Sequence, residues 1–134
     1  MKKSEIRSVL DGYRSLFADL KFEIIGEVIY IPNRNSGIFA KFSSEEDCIF
    51  MFDHLTSFTV IPDNVKLIKL RYGLIDGSAH TLRECGEILG VTDECVRSKL
   101  TSSFRKIRHS INLKTAINRL KLSERGQQLI ESIK

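Results

Sequence analysis

GLIDGSAHTLRECGEILGVTDECVRSKL, residues 73–100, is the stretch that decides the fold. Thr81, with Glu84 three residues later, has the form of a capping box, so a helix starts there. Cys85 and Leu89 lie one turn apart on its buried face, and Gly86 stands where a large side chain would push a neighbouring helix away. Gly90 ends the helix and supplies the left-handed conformation of a tight turn. Val91 plugs that turn, and Thr92 or Asp93 caps the next helix. The spacing predicts helices over 81–89 and 93–109. A simple helical hairpin does not need two glycines four apart with a cap on each side. A helix-turn-helix does, because its two helices cross closely.

In the second helix Val96, Leu100, Phe104 and Ile107 recur at four, four and three residues and form one apolar stripe. The other face presents Glu94, Arg97, Ser98, Thr101, Arg105 and Arg108. Such side chains hydrogen-bond base edges and phosphates, and a guanidinium addresses guanine through two bonds at once. Charge points the same way. Residues 1–65 hold seven Lys/Arg and ten Asp/Glu, whereas residues 66–134 hold fourteen and seven. Between 97 and 125 there are nine basic residues, and Glu124 is the one acid. A basic block beside a helical motif is the footprint of a polyanion binder, although a solvated Lys/Arg-rich helix surface has the same composition.

Working toward the N-terminus, Val65, Leu67, Ile68 and Leu70 alternate with Lys66, Lys69 and Arg71 in a short helix opened near Pro62 and stopped by Gly73. Earlier still, FEIIGEVIYI (22–31), the breaker run PNRNSG and IFAKF (38–42) give a hairpin signal. Residues 4–20 carry apolar side chains at helical spacing from Ile6 to Leu20, and Gly12 weakens that helix by roughly 1 kcal/mol relative to Ala. Ser43 or Ser44 caps a further helix ending near Ser57. Toward the C-terminus, INLKTAINRLKLSERGQQLIESIK supplies one or two amphipathic helices with Ser123 as a cap. The expected fold is mainly α with a small β-hairpin and a C-terminal helix-turn-helix. Residues 1–60 form a helix-hairpin-helix unit, residues 61–134 the helix-turn-helix unit with extra C-terminal helices, and the two touch.

Composition narrows the function classes. With 42% hydrophobic and 28% charged residues the chain belongs with soluble globular proteins. It has no apolar run of about 18 residues to span a membrane, and no apolar segment follows its basic N-terminus as in a signal peptide. Cys48, Cys85 and Cys95 are an odd number without a C-x-x-C pair, which argues against a disulfide framework and for a reducing cytoplasm. Cys85 suits a small core position; Cys95 sits at the side of the second helix. His54, His80 and His109 have no ligand spacing, so neither metal nor other cofactor is expected. No nucleophile–base pair or phosphate loop can be argued, and an enzyme is not expected. Phe39, Phe42, Phe50, Phe52 and Phe58 are read as core, with a partner groove as the alternative.

Residues 65–110 resemble the fourth region of bacterial primary-type sigma factors. The resemblance rests on the corner Arg71-Tyr72-Gly73-Leu74, the loop at Asp76-Gly77, the cap at Thr81-Leu82 and the run Phe104-Arg105-Lys106-Ile107-Arg108-His109. It implies that double-stranded DNA is contacted by residues 92–108 and that RNA polymerase, typically its flap, is a partner. By position Glu94 and Arg97 match base-contacting residues of the family, and Arg71 and Arg83 are candidates for phosphate. The full candidate DNA-contacting set is Thr92, Asp93, Glu94, Arg97, Ser98, Thr101, Arg105, Arg108, Arg71 and Arg83. Three positions depart from the family: Asp93 where an Arg is usual, Ser98 where Gln often follows the reading Arg, and Lys99 at an apolar position. The usual preference for the −35 promoter element is therefore not carried over.

The first 60 residues contain no Trp, are net acidic, and lack the aromatic-rich promoter-melting helix of sigma factors. The expectation is a stand-alone regulator, half of a split sigma factor, or a phage-type protein acting on the host polymerase, located in the cytoplasm with the nucleoid. Three readings follow: a transcription regulator reading duplex DNA; a sigma-mimicking adaptor or decoy that binds polymerase or an anti-sigma partner with little DNA reading; and a repressor whose residues 1–60 form a homodimer that binds paired half-sites. A second sigma subunit is the alternative partner for residues 1–60.

Overall fold

The structure, a computed structural model, describes residues 8–25, 28–32, 37–41 and 44–131. Helix α1 (Val9–Asp19) is capped by Ser8, whose hydroxyl accepts from the Asp11 N–H. Three short strands follow: β1 (Glu23–Ile25), β2 (Val28–Pro32) and β3 (Gly37–Lys41). Helices α2 (Glu45–Thr56), α3 (Pro62–Tyr72), α4 (Leu82–Leu89), α5 (Asp93–Arg108), α6 (Ser110–Leu122) and α7 (Glu124–Glu131) complete the order.

The mainly helical class is as expected, with one correction in the sheet. The run 22–31 is not one strand but two, β1 and β2, paired antiparallel with Ile25 opposite Val28. β2 then pairs with β3, with Val28 opposite Lys41 and Pro32 opposite Gly37, so the hairpin is part of a three-stranded meander. The β-branched run hid the sequence signal, a glycine between two apolar stretches. The first helix starts at Val9, and Ile6 lies outside the described residues.

Local chemistry accounts for the helix ends. Ser44, not Ser43, caps α2 by accepting from the Asp47 N–H, and Glu45, Glu46 and Asp47 complement the positive end of the helix dipole. Pro62 occupies the first turn of α3, where its missing N–H is not needed. Ser123 caps α7: the N–H of Gly126 donates to its hydroxyl.

One apolar cluster runs through both halves of the chain. It joins Tyr13, Phe17 and Phe52 to Leu67 and Ile68 of α3, Cys85 of α4, Val96 and Ile107 of α5, and Leu113 and Ile117 of α6. Gly12, a mild defect in the helix by propensity, has a packing reason. A Cβ there would collide with the Tyr72 carbonyl and press on Leu74, so glycine lets α1 lie against the end of α3. The Tyr72 hydroxyl crosses the same contact and donates to Asp19 Oδ2 at 2.6 Å. Burial, reinforced by that hydrogen bond to a carboxylate, pushes the Tyr72 phenol pKa well up.

The aromatic residues of the N-terminal half divide. Phe52 is fully buried. Phe50 and Phe58 are half-buried beneath arginines: the Arg125 guanidinium lies 5.2 Å from the Phe50 ring and that of Arg119 4.6 Å from the Phe58 ring. Arg125 also reaches Asp47 at 3.2 Å. The C-terminal helices are thus latched onto α2. Phe42 and the side chain of Phe39 lie outside the described residues.

The thiols separate by environment. Cys48 is fully buried, and desolvation, aided by the neighbouring charge of Asp47, pushes its pKa up to about 12. Cys85 is also buried and raised by desolvation, whereas Cys95 is half-buried on α5. A brief exposure of native protein to iodoacetamide should give one adduct, at Cys95, by peptide mass mapping. Equal labelling of Cys48 would show that the α1–α2 core is open.

Candidate nucleic-acid interface

The candidate interface is built on α4 and α5. Thr81 accepts from the Glu84 N–H at 3.1 Å, and Glu84 Oε1 accepts from the Thr81 N–H at 3.0 Å, so the capping box is complete. Gly90 takes φ +75°, and its N–H donates to the Gly86 carbonyl. Gly86 explains the close crossing: a Cβ there would stand 2.6 Å from the Val91 carbonyl oxygen. Thr92, not Asp93, caps α5, accepting from the Cys95 N–H at 3.1 Å.

The corner before α4 is laced from both sides. Arg71 Nη1 donates to the His80 carbonyl at 2.8 Å, the His80 N–H donates to the Arg71 carbonyl at 3.3 Å, and His80 Nδ1 lies 3.0 Å from the Leu70 carbonyl. These bonds hold the start of α4 against the end of α3.

α5 buries Val96, Leu100 and Ile107 and packs Phe104 against the core. Sequence reading missed a fourth buried position, Ser103, which is 2% exposed. Among the described residues its hydroxyl has no hydrogen-bond partner. It extends the stripe at 96, 100, 103 and 107, a spacing that a search confined to apolar residues passes over.

Glu94, Arg97, Ser98, Thr101, Arg105 and Arg108 are all exposed. At about 100° per residue they occupy an arc of roughly 100° on one side of the helix. Asp93 and Thr92 are exposed at its N-terminal end. Arg97 is held by its neighbour, with Nη1 2.9 Å from Glu94 Oε1. Asp93 and Glu94 in the first turn complement the α5 dipole, which is a structural reason for acids there. The two remaining candidates sit on other elements. Arg71 is half-buried and occupied with His80; Arg83 is on α4, highly exposed, and 4.0 Å from Glu87.

The basic block divides as well. Arg97, Lys99, Arg105, Lys106 and Arg108 are on α5, and Lys114 and Lys121 are exposed on α6. Arg119 and Arg125 are the ones stacked on Phe58 and Phe50, a structural use that their sequence did not signal. α5 and α6 join at His109, whose Nδ1 accepts from the Ile111 N–H, and Asn112 Nδ2 donates to the Lys106 carbonyl at 2.8 Å.

Among the described residues no three His, Cys, Asp or Glu side chains converge as a metal site, and no helix is long and apolar enough to cross a membrane.

Comparison with known proteins agrees with this geometry. The family model for sigma-70, region 4 matches residues 62–109. The chain is 43% identical over 51 residues to the RNA polymerase sigma factor SigA of Clostridium acetobutylicum, covering 38% of this chain and 14% of that protein. It is 42% identical over 57 residues to the SigA of a Bacillus species, covering 42% and 15%. For the SigA of Microcystis aeruginosa the values are 43% over 51 residues, covering 38% and 12%. The chain thus matches only a small part of the length of these relatives. No solved structure matches it. With the matched boundaries running from the first residue of α3 to the end of α5, residues 62–109 are a sigma region 4-like helix-turn-helix domain.

Proposed function

We propose that this protein is a DNA-binding transcription regulator that reads duplex DNA through α5 and works in contact with RNA polymerase. The observation that carries the reading is the exposed stripe on α5, held at fixed angle to α4 by the Gly86–Gly90 turn. The relatives over this segment are named RNA polymerase sigma factors, which supports both partners. Within the stripe Arg97 is the residue for direct base contact, with Thr101 beside it. Arg105 and Arg108, together with Arg83 on α4, suit phosphate. Arg71 would reach phosphate only by exchanging its bond to the His80 carbonyl.

The Glu94–Arg97 pair does not stand in the way. Both side chains are well exposed, 82% and 57%. Such pairs are worth about 0.3–0.5 kcal/mol, against about 1–3 kcal/mol for a guanidinium bonded twice to guanine. Reading DNA at this position outweighs opening the pair.

Titration of duplex DNA with the full chain at several salt concentrations tests the reading. Affinity should fall steeply with salt, and Arg97→Ala should weaken the preferred site about ten- to a hundredfold while leaving random duplex nearly unchanged. Salt-insensitive or absent binding would sink it.

A second reading is favoured by one observation: the α5 N-terminus presents Asp93 and Glu94 outward, where phosphate would be repelled. In it the domain acts as an adaptor that binds polymerase or an anti-sigma partner with little DNA reading. Retention of polymerase by Arg97→Ala, combined with no duplex binding by the unaltered chain, is its expected result.

A further inference from the structure

We propose that the groove between the end of α2 and the start of α3 docks an amphipathic segment of a partner protein that carries acidic residues. The groove has a volume of about 660 Å³ and two walls. Asp53, Thr56, Ser57 and Val60 line one; Pro62, Val65, Lys66 and Lys69 of α3 line the other. Pro62, Val65, Lys66 and Lys69 follow the spacing i, i+3, i+4, i+7 on one face of α3, over two turns or roughly 10 Å of length, whereas the other wall is the last turn of α2 with Ser57 and Val60 in the turn that follows it. Ile61 joins the walls between Val60 and Pro62 and is 56% exposed.

The floor is apolar and the rim is charged. Thr56 is already committed, its hydroxyl donating to the Phe52 carbonyl at 2.9 Å. Val60, Pro62 and Val65 therefore offer apolar contact with little competing hydrogen bonding. Lys66 and Lys69 stand one turn apart on the α3 side and Asp53 on the α2 side, and among the described residues none of the three has an ion-pair partner. An occupant satisfies all three by placing two acids about one helical turn apart toward α3 and a base toward α2.

Other occupants fit less well. A phosphate backbone gains nothing from an apolar floor and is repelled by Asp53. A small molecule calls for a site that encloses most of its surface, and this groove is open to solvent. The α2 wall lies outside the sigma region 4-like segment, so the surface is particular to how this chain combines the two. The proposal stands whether or not α5 reads DNA.

The test uses the full chain and two fluorescein-labelled helical peptides of about twelve residues. One displays leucines on one face with two glutamates a turn apart beside them; the other has lysines in place of the glutamates. The chain should bind the glutamate peptide, and Lys66→Glu combined with Lys69→Glu should weaken that binding about tenfold. The same double variant should bind the lysine peptide better than the unaltered chain does. Should the double variant fail to fold, Lys66→Glu alone, at an exposed site, is expected to shift both peptides in the same directions. Arg97→Ala should leave peptide affinity unchanged. The proposal is overturned if neither peptide binds the unaltered chain, if the charge reversals leave peptide affinity untouched, or if they weaken only duplex DNA.

Discussion

Replacing Phe52 by alanine is expected to lower the unfolding free energy by about 3–5 kcal/mol and to unfold the helix-turn-helix together with the N-terminal half. Phe52 is fully buried in α2, and the Tyr13 ring meets it edge-on at a centroid distance of 5.9 Å. Truncation leaves a cavity in a cluster that continues without a break to Leu67, Ile68 and Val96. The polar bridges across the halves, Tyr72–Asp19 and Arg125–Asp47, reinforce a contact made mainly by burial. Denaturant unfolding followed by far-ultraviolet circular dichroism and by a fluorophore on Cys95 of α5 reads both halves at once. Coincident transitions shifted to lower denaturant are the expected result. A fluorophore signal that keeps its original midpoint would mean that α4 and α5 stand without α2.

Gly86→Val is expected to destabilise the protein by about 3 kcal/mol and to abolish duplex binding in whatever fraction stays folded. The atom in the way is the Val91 carbonyl oxygen, part of the backbone, so relief requires α4 and α5 to move apart. Gly90→Ala provides the contrast. A Cβ there meets nothing within 4 Å, but the residue sits at φ +75°, so the penalty is conformational, about 1–2 kcal/mol. Thermal unfolding of the two variants beside duplex titration separates the cases: Gly90→Ala should lose stability and keep its DNA affinity at low temperature. If Gly86→Val melts with the unaltered protein and binds duplex normally, the two helices do not cross as closely as described.

The aromatic latches show why some functions of side chains escape a linear reading. Arg119 and Arg125 belong by sequence to the same basic block as Arg105 and Arg108. Their partners, Phe58 and Phe50, lie more than sixty residues earlier in the chain. Charge density alone assigns all four to solvent or polyanion. Only the approach of the C-terminal helices to α2 brings Arg119 and Arg125 into tertiary contact. Likewise Arg71 stands among the basic residues of its helix, yet its guanidinium is held by the His80 carbonyl nine residues on.

Gly12 makes the same point for stability. Read along α1 it is a weak helix former; read across the fold it is the residue that admits the Tyr72 carbonyl.

What residue order determined by itself was everything governed by contacts of three or four residues. The capping box at Thr81 and Glu84, the left-handed stop at Gly90, the Thr92 cap and the α5 stripe all depend on neighbours within one helical turn. That is why the helix-turn-helix and its resemblance to sigma region 4 could be read before any coordinates. The tertiary structure decided what depends on distant partners: the division of residues 22–31 into paired strands, the burial of Ser103, the latching of Arg119 and Arg125, and the groove between α2 and α3. The physical reason is range. Backbone capping and helical periodicity act over about 5 Å of chain, whereas burial is settled by which surfaces the whole chain can bring together.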